Sequence, residues 1–386
     1  MSQDQLAELS RLLYMPVTFG FYLSAAFVYL YALTTTVGRR DERVRGRKAQ
    51  VLGGVLAVLG ITAHLAHEIV RGLAQDRLPL GNMFEVTSLM ALVGVTVGLG
   101  YLQFVRRRPE LNGFVMLGGS LVLSMALLMY SSPGPLMPIL DTWWRPFHVS
   151  IIVGAMGIFA AAFVFNALYL LRDTAERSVA RARSSASHGS TVGAAYVGDL
   201  DAGPEGVDDD DARDHDAEYR AALRAGISAP KLAIGTFLGT ALVSWVWLVS
   251  ADSTRGGLTR FLTVNLVMVA AALIARWFVP FLPSTATLDG LAHRTIAFAF
   301  VMWTVGTIAG AMWAEQSWGR FWGWDPKETG AFLTWVAYAG YLHARATRGI
   351  KGRGAAWIGL WSFVVLMGTY LIANYVIVGL HSYADL

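Results

Sequence analysis

Residue types able to do chemistry are concentrated in one stretch, "WAEQSWGRFWGWDPKETGAF", from Trp313 to Phe332. Four tryptophans fall within twelve residues, and Gly319 and Gly323 argue against a continuous helix there. Asp325, Pro326 and Glu328 read as a helix start: an N-cap aspartate, a proline in the first turn and an acidic residue three positions after the cap. The aromatic stretch therefore ends where a helix begins. Indole faces stack on flat apolar ligands and exclude water. An interfacial aromatic belt is the simpler account of one or two tryptophans. Trp313, Trp318, Trp322 and Trp324 together, on a glycine-containing loop, argue for a binding surface.

Histidines flank this stretch. His148 follows "DTWWRPF" and His381 sits in the C-terminal "GLHSYADL". Two imidazoles at matching depth beside an aromatic surface are what ligation of a planar macrocycle through its metal requires, whereas one alone is more often an amphipathic anchor. His343 lies 18 residues beyond Asp325, about 27 Å along a helix, and an ionisable group that deep in an apolar helix is a candidate functional residue. His293 starts the neighbouring apolar segment at similar depth and could pair with it or belong to a loop. His64, His67 and Glu68 share one segment and could either hydrogen-bond across helices or line a pathway. In "RLPLGNMFEVTS", Asn82 and Glu85 read as a helix cap that could also floor a ligand site.

The elements that must position these residues are apolar helices. Runs at about 16–37, 50–71, 83–105, 112–130, 149–171, 232–250, 261–280, 294–314, 328–346 and 355–379 approach or exceed the ~20 residues that cross a bilayer. The expected fold is an all-α polytopic membrane protein of about ten transmembrane helices. Arginine-rich loops (39–48, 106–108, 172–183 and 345–353) alternate with cation-poor ones. By the positive-inside rule the former are cytoplasmic, which puts both termini and the tryptophan stretch outside. The expected units are a first bundle at 1–171, a disordered cytoplasmic linker at 172–231, an extra transmembrane hairpin at 232–280 and a final bundle at 283–386. The linker expectation rests on polar runs such as "SSASHGSTVG" and "DDDDARDHD", where His188 and His215 read as solvated rather than metal-binding.

Composition supports the membrane class: 55% of residues are hydrophobic and only 15% charged, against about a quarter charged in soluble domains. The net charge of +4 sits in loops beside the spans, so it reads as topology and not as a nucleic-acid surface. No cleavable signal peptide is expected, because Asp4 and Glu8 precede a first apolar run long enough to span. There is no cysteine, so any thiol chemistry must come from another protein.

The segment "WGRFWGWDPKETGAF" resembles the WWD motif of haem-handling proteins. Together with His148, His343, His381 and "LPLGNMFE", it resembles the CcsA/ResC family of system II cytochrome c-type biogenesis proteins over roughly 50–171 and 283–386. The resemblance implies a membrane protein that delivers haem b to the outer face for covalent attachment to an apocytochrome c carrying Cys-X-X-Cys-His. A bacterial plasma membrane is expected from the bias to arginine over lysine, with only four lysines among 31 basic residues, and from abundant Ala and Gly. It implies His148 and His381 as outer axial ligands, giving bis-histidine coordination, and His343 as a membrane-site ligand. Trp318, Trp322, Trp324 and Asp325, with Glu328, Asn82 and Glu85 nearby, would hold the haem. As cations on the outer side, Arg145, Arg320 and Lys327 could pair with its propionates, although Arg320 and Lys327 could simply be interfacial. Implied partners are a ResB/CcsB-type membrane subunit, completing a holocytochrome c synthase (a haem-lyase-type complex), and thiol-reducing proteins.

The chain departs from that pattern in two places. Gly330 stands where many members have tryptophan after Lys-Glu-Thr, and Arg77-Leu78 replaces the usual histidine before "PL". No nucleophile–base pair is evident, so no catalytic residue is assigned. A haem transporter or chaperone without ligation activity would use the same residues. An ion-coupled solute transporter would need paired membrane carboxylates or broken helices, which are not evident. A quinone-linked oxidoreductase subunit would favour histidine pairs stacked across the membrane.

Overall fold

The computed structural model describes residues 1–35, 40–134, 142–189, 209–250, 256–377 and 379. The described residues form helices and connecting turns, with no strand. In chain order the main helices are α1 (Gln3–Leu12), α2 (Phe19–Thr34), α3 (Arg40–Gln75), α4 (Met83–Gly100), α5 (Asn112–Leu128), α6 (Trp144–Gly189), α7 (Asp209–Ala225), α8 (Ala229–Ser244), α9 (Gly257–Phe278), α10 (Thr285–Trp318), α11 (Pro326–Arg348) and α12 (Arg353–Tyr375).

Among the described residues, eight helices are long and apolar enough to cross a membrane, nine if the bent pair α7–α8 counts as one span. The sequence predicts about ten. The remaining expected span, 328–346, is present as α11, but its 23 residues carry Lys327, Glu328, His343, Arg345 and Arg348. Those polar groups, and not its length, set it apart.

Helix ends follow the local code. At α11, Asp325 and Glu328 form a reciprocal capping box, Pro326 fills the first position and Gly349, at φ 61°, closes the C-terminus. α10 ends at Gly319, whose φ of 68° suits glycine's access to the left-handed region. Trp313 and Trp318 are therefore on the last turns of α10, not on the loop; only Trp322 and Trp324 are.

Two ends of the bundle can be told apart by contacts. Arg145 at the start of α6 donates to the Leu80 carbonyl just before α4, so α4 and α6 run parallel. They cross where Gly94 meets Gly157: a Cβ on Gly157 would lie 2.6 Å from the Met90 carbonyl oxygen. Small residues that let backbones meet are a recurring device in apolar helix packing. α10 and α12 run antiparallel to α6, since His148 reaches Gly306 at one end and Asp173 binds Arg353 at the other (2.7 Å). Phe159 and Tyr338 stack at 3.7 Å between centroids in the middle. The far end is tied by Arg345 on Asp289, through two contacts of 2.7 and 2.9 Å.

Helix occupies both described ends of the segment read as a linker. α6 continues to Gly189, and its first turns past the apolar run are supported by the (i, i+4) pairs Arg172–Glu176 and Asp173–Arg177. α7 buries Leu223, with Ile227 buried just beyond its end, and Arg224 lies 4.2 Å over the Trp277 ring. Burial of an amphipathic face, invisible in bulk composition, accounts for this order.

Candidate functional site

At the end of the bundle where α10 and α11 meet, aromatic side chains converge. His148 stacks on Trp313 (6.1 Å between centroids, 16° between planes), and Trp313 meets Trp318 edge-on at 5.0 Å. Past Gly319, Trp322 meets Trp324 at 5.8 Å, and Trp324 meets Phe332 of α11 at 5.7 Å, both near perpendicular. Trp324 is 62% exposed and has φ 59°. A left-handed backbone is uncommon for a non-glycine residue, and strain of this kind persists only where its surroundings impose it.

The imposing group is Glu328. Its Oε2 accepts from the Gly323 amide (2.8 Å) and the Asp325 amide (3.1 Å), with Arg320 Nη1 3.7 Å away. Asp325 in turn accepts from the Lys327 amide (3.1 Å), and Thr329 donates to the Trp324 carbonyl. One buried carboxylate thus holds both sides of the Trp324 turn.

His148 Nδ1 lies 2.7 Å from the Gly306 carbonyl oxygen. A carbonyl only accepts, so Nδ1 carries the proton and, in the neutral ring, Nε2 carries the lone pair. That tautomer is the one a metal-ligating imidazole needs, and an Nδ1–H to carbonyl bond is the usual way of fixing it. Sequence reasoning did not find Gly306 and Gly310. Their signal was the four-residue spacing Gly306, Gly310, Ala314, which lays a small-residue face on α10 against α6. A Cβ at Gly310 would fall 2.6 Å from the His148 ring.

His381 lies outside the described residues. Gly379 sits against the head of α11: a Cβ there would meet Asp325 Oδ2 and Pro326. His343 is exposed on α11, near the opposite end. His293 is half-buried with its ring 6.1 Å from Tyr341. Tyr341 and His343 are two residues apart, about 200° around the helix, so His293 faces the side of α11 away from His343.

Glu85 is fully buried and committed. It accepts from Arg71 Nε (2.9 Å), Arg77 Nη1 (2.9 Å), the Gly81 amide (2.7 Å) and Asn82 Nδ2 (3.0 Å), while Asn82 caps α4 through the Glu85 amide. Inward of it, Ser88 donates to Glu68 (2.6 Å). That commits the serine proton, so His64 Nε2–H donates to Ser88 (2.9 Å) and, in the neutral ring, His64 Nδ1 accepts from Tyr22 (3.1 Å). His67 Nδ1 donates to the Ser10 carbonyl (2.7 Å). The α3 histidines thus hydrogen-bond across helices. Arg145, three residues before His148 in α6, is buried and donates to the Leu80 carbonyl (3.0 Å).

These features define a polytopic α-helical protein that carries, at one end of its bundle, an imidazole of fixed tautomer beside a strained tryptophan turn. The chain belongs to the cytochrome c assembly protein family, whose sequence profile matches residues 52–381, and within it to the CcsA proteins. It is 30% identical to the cytochrome c biogenesis protein CcsA of Gloeobacter violaceus over 390 aligned positions, covering 99% of this chain and 98% of that one. With the protein of the same name from Microcystis aeruginosa it shares 31% identity over 86% of each chain. A Guillardia theta protein of that name is 50% identical over 97 residues, 25% of this chain and 32% of its own.

Proposed function

We propose that this protein takes part in cytochrome c maturation by holding haem b at its tryptophan-bearing end and presenting it to apocytochrome c. Family membership and the names of the relatives support the coarse part, a role in cytochrome c maturation. The finer part is carried by His148: its Nδ1 proton is held by Gly306, and its ring stacks on the first of the converging tryptophans. Such a site suits a flat apolar disc whose iron takes axial nitrogen.

In this reading haem is the substrate. His148 and His381 supply the axial nitrogens, while Trp318, Trp322 and Trp324 cover the disc. Asp325 and Glu328 hold the loop in shape, and Arg320 and Lys327 lie on the propionate side. Asn82 and Glu85, through Arg71 and Arg77, brace the neighbouring turn. Each thioether forms by addition of a cysteine S–H across a vinyl double bond, with sulfur bonding one carbon and hydrogen the other. No group leaves, so the protein's contribution is orientation within near-attack distance. The thiols come from the apocytochrome's Cys-X-X-Cys-His and are kept reduced by other proteins, since this chain has no cysteine.

His343 would bind haem on its way across the plasma membrane. Because it is exposed on the outside of α11, its companion ligand would come from a ResB/CcsB-type subunit, with His293 on the other side of that helix. The tryptophan end then faces outward and the arginine-rich end the cytoplasm, in keeping with the positive-inside rule.

The test is the absorption spectrum of the purified protein with its partner subunit, for wild type and for His148→Ala, His381→Ala and His343→Ala. The expected result is a low-spin b-type spectrum that the two outer variants lose and added imidazole restores. A wild type that binds no haem would sink the proposal. Covalent haem on apocytochrome with only this chain and its partner present separates a synthase from a carrier.

A further inference from the structure

A chamber of about 1210 Å³ lies between the α8–α9 hairpin and the bundle formed by α4, α5, α6 and α12. Its body is apolar, lined by aliphatic residues such as Val95, Leu121, Leu238 and Val267 and by rings such as Phe163 and Trp361. The hairpin is internally tied, with Asn265 of α9 donating to Ser244 of α8 (2.7 Å) and accepting from Thr240. Yet only 11% of the most apolar stretch of α9 is buried. In a bilayer an apolar space of this size is filled, and an acyl chain is the filling that matches its walls.

The mouth is different. At the end where Asp173 binds Arg353, the lining includes Arg177, Arg181, Lys231 and Arg353, with the hydroxyls of Ser178 and Ser228 beside them. Arg177 and Arg353 share one carboxylate, Asp173 (2.9 and 2.7 Å), so the cations outnumber it. α8 also begins here, at Ser228, without a side-chain cap on its first turn. A helix start and a cluster of guanidinium and ammonium groups both favour a phosphate. Among the described lining residues there is no acidic side chain to repel one and no histidine to ligate a haem iron.

We propose that this chamber is a binding site for an anionic phospholipid, with its acyl chains between the hairpin and the bundle and its phosphate among Arg177, Arg181, Lys231 and Arg353. The apolar body distinguishes this ligand from free phosphate. The bound lipid would act as the packing layer that joins the inserted hairpin to the rest of the protein.

The full-length protein would be reconstituted in nanodiscs of equal phosphatidylglycerol and phosphatidylcholine, then extracted in mild detergent. Retained lipid is read by native mass spectrometry. Wild type should retain phosphatidylglycerol several-fold over phosphatidylcholine. Arg181→Gln with Lys231→Gln, which leaves the Asp173 pairs intact, should bring that preference close to parity. Gly239→Phe places a ring in the chamber, where an added Cβ meets nothing within 4 Å, and should lower retention of both lipids. If wild type shows no preference, or the double variant keeps it in full, the site is bulk lipid and the proposal falls. It falls equally if the amphiphile lost from the double variant is haem.

Discussion

Replacing Glu328 by alanine should release the tryptophan turn. In the native protein Oε2 of this buried carboxylate accepts from the amides of Gly323 and Asp325 at 2.8 and 3.1 Å. Hydrogen bonds to an ionised acceptor contribute roughly 1.5–3 kcal/mol each, so even the lower figure gives about 3 kcal/mol for the pair. Against this, the left-handed backbone of Trp324, at φ 59°, costs roughly 1–2 kcal/mol. The pair of bonds therefore outweighs the strain. In Glu328→Ala the sign reverses and Trp324 relaxes toward extended backbone, moving its ring off Phe332. Restoring the turn for binding would then cost roughly that 1–2 kcal/mol, and about 1.4 kcal/mol is a factor of ten, so haem titrated by absorbance should bind about tenfold more weakly. Amide exchange at Gly323 and Asp325 should lose protection whether or not haem is present. Glu328→Gln keeps an oxygen able to accept both bonds at about half the strength, and should fall in between. Unchanged protection at both amides in Glu328→Ala would refute the reasoning; unchanged protection cannot coexist with a turn held by that carboxylate.

Three other outcomes follow from the packing. Gly310→Ala puts a methyl 2.6 Å from the His148 ring, which must swing off the Gly306 carbonyl; haem absorbance should drop sharply while far-ultraviolet circular dichroism stays native. Glu85→Ala strands the fully buried Arg71 and should cost about 3–5 kcal/mol, read as a lower melting temperature in detergent. Arg71→Met with Glu85→Leu should melt closer to wild type than Glu85→Ala alone. Asp289→Asn weakens the two-point grip on Arg345 and the contact to the Gly352 amide (3.2 Å), by about 1.5–3 kcal/mol; melting should fall with the spectrum of the tryptophan end unchanged.

What could be read in the sequence was what short spacing encodes. The Asp325–Glu328 cap was legible because both partners and their target amides lie within a few residues. The apolar helices were legible for the same reason. The end of α10 was misplaced by a turn because a tryptophan carries no boundary signal, whereas Gly319 behind it did. The exposure of His343 was available from helical phase: Thr334, Tyr338 and Tyr341 are buried, and 343 falls off that stripe. The cross-helix partners of His64, His67 and Glu68 were not available, because they sit 57 residues away at Ser10, 42 at Tyr22 and 20 to 24 at Ser88. No periodicity reports such pairings. α7 was hidden by composition, since its charged residues outweigh the few side chains that bury.

The charged face of α3 bears on how the chain is built. His64, His67, Glu68 and Arg71 are all buried, and their main partners stand on other helices or the chain just before them, at Ser10, Tyr22, Glu85 and Ser88. An unpaired arginine at the centre of a lone helix costs about 2.5–3.5 kcal/mol on insertion scales, and less near a helix end such as that of α3, where Arg71 stands. During synthesis Arg71 emerges 14 residues ahead of the Glu85 that neutralises it, an interval of about one to three seconds at 5–20 residues per second. That delay predicts that α3 settles fully into the bilayer only with α4 beside it, so insertion of α3 in truncated chains should improve once Glu85 is included.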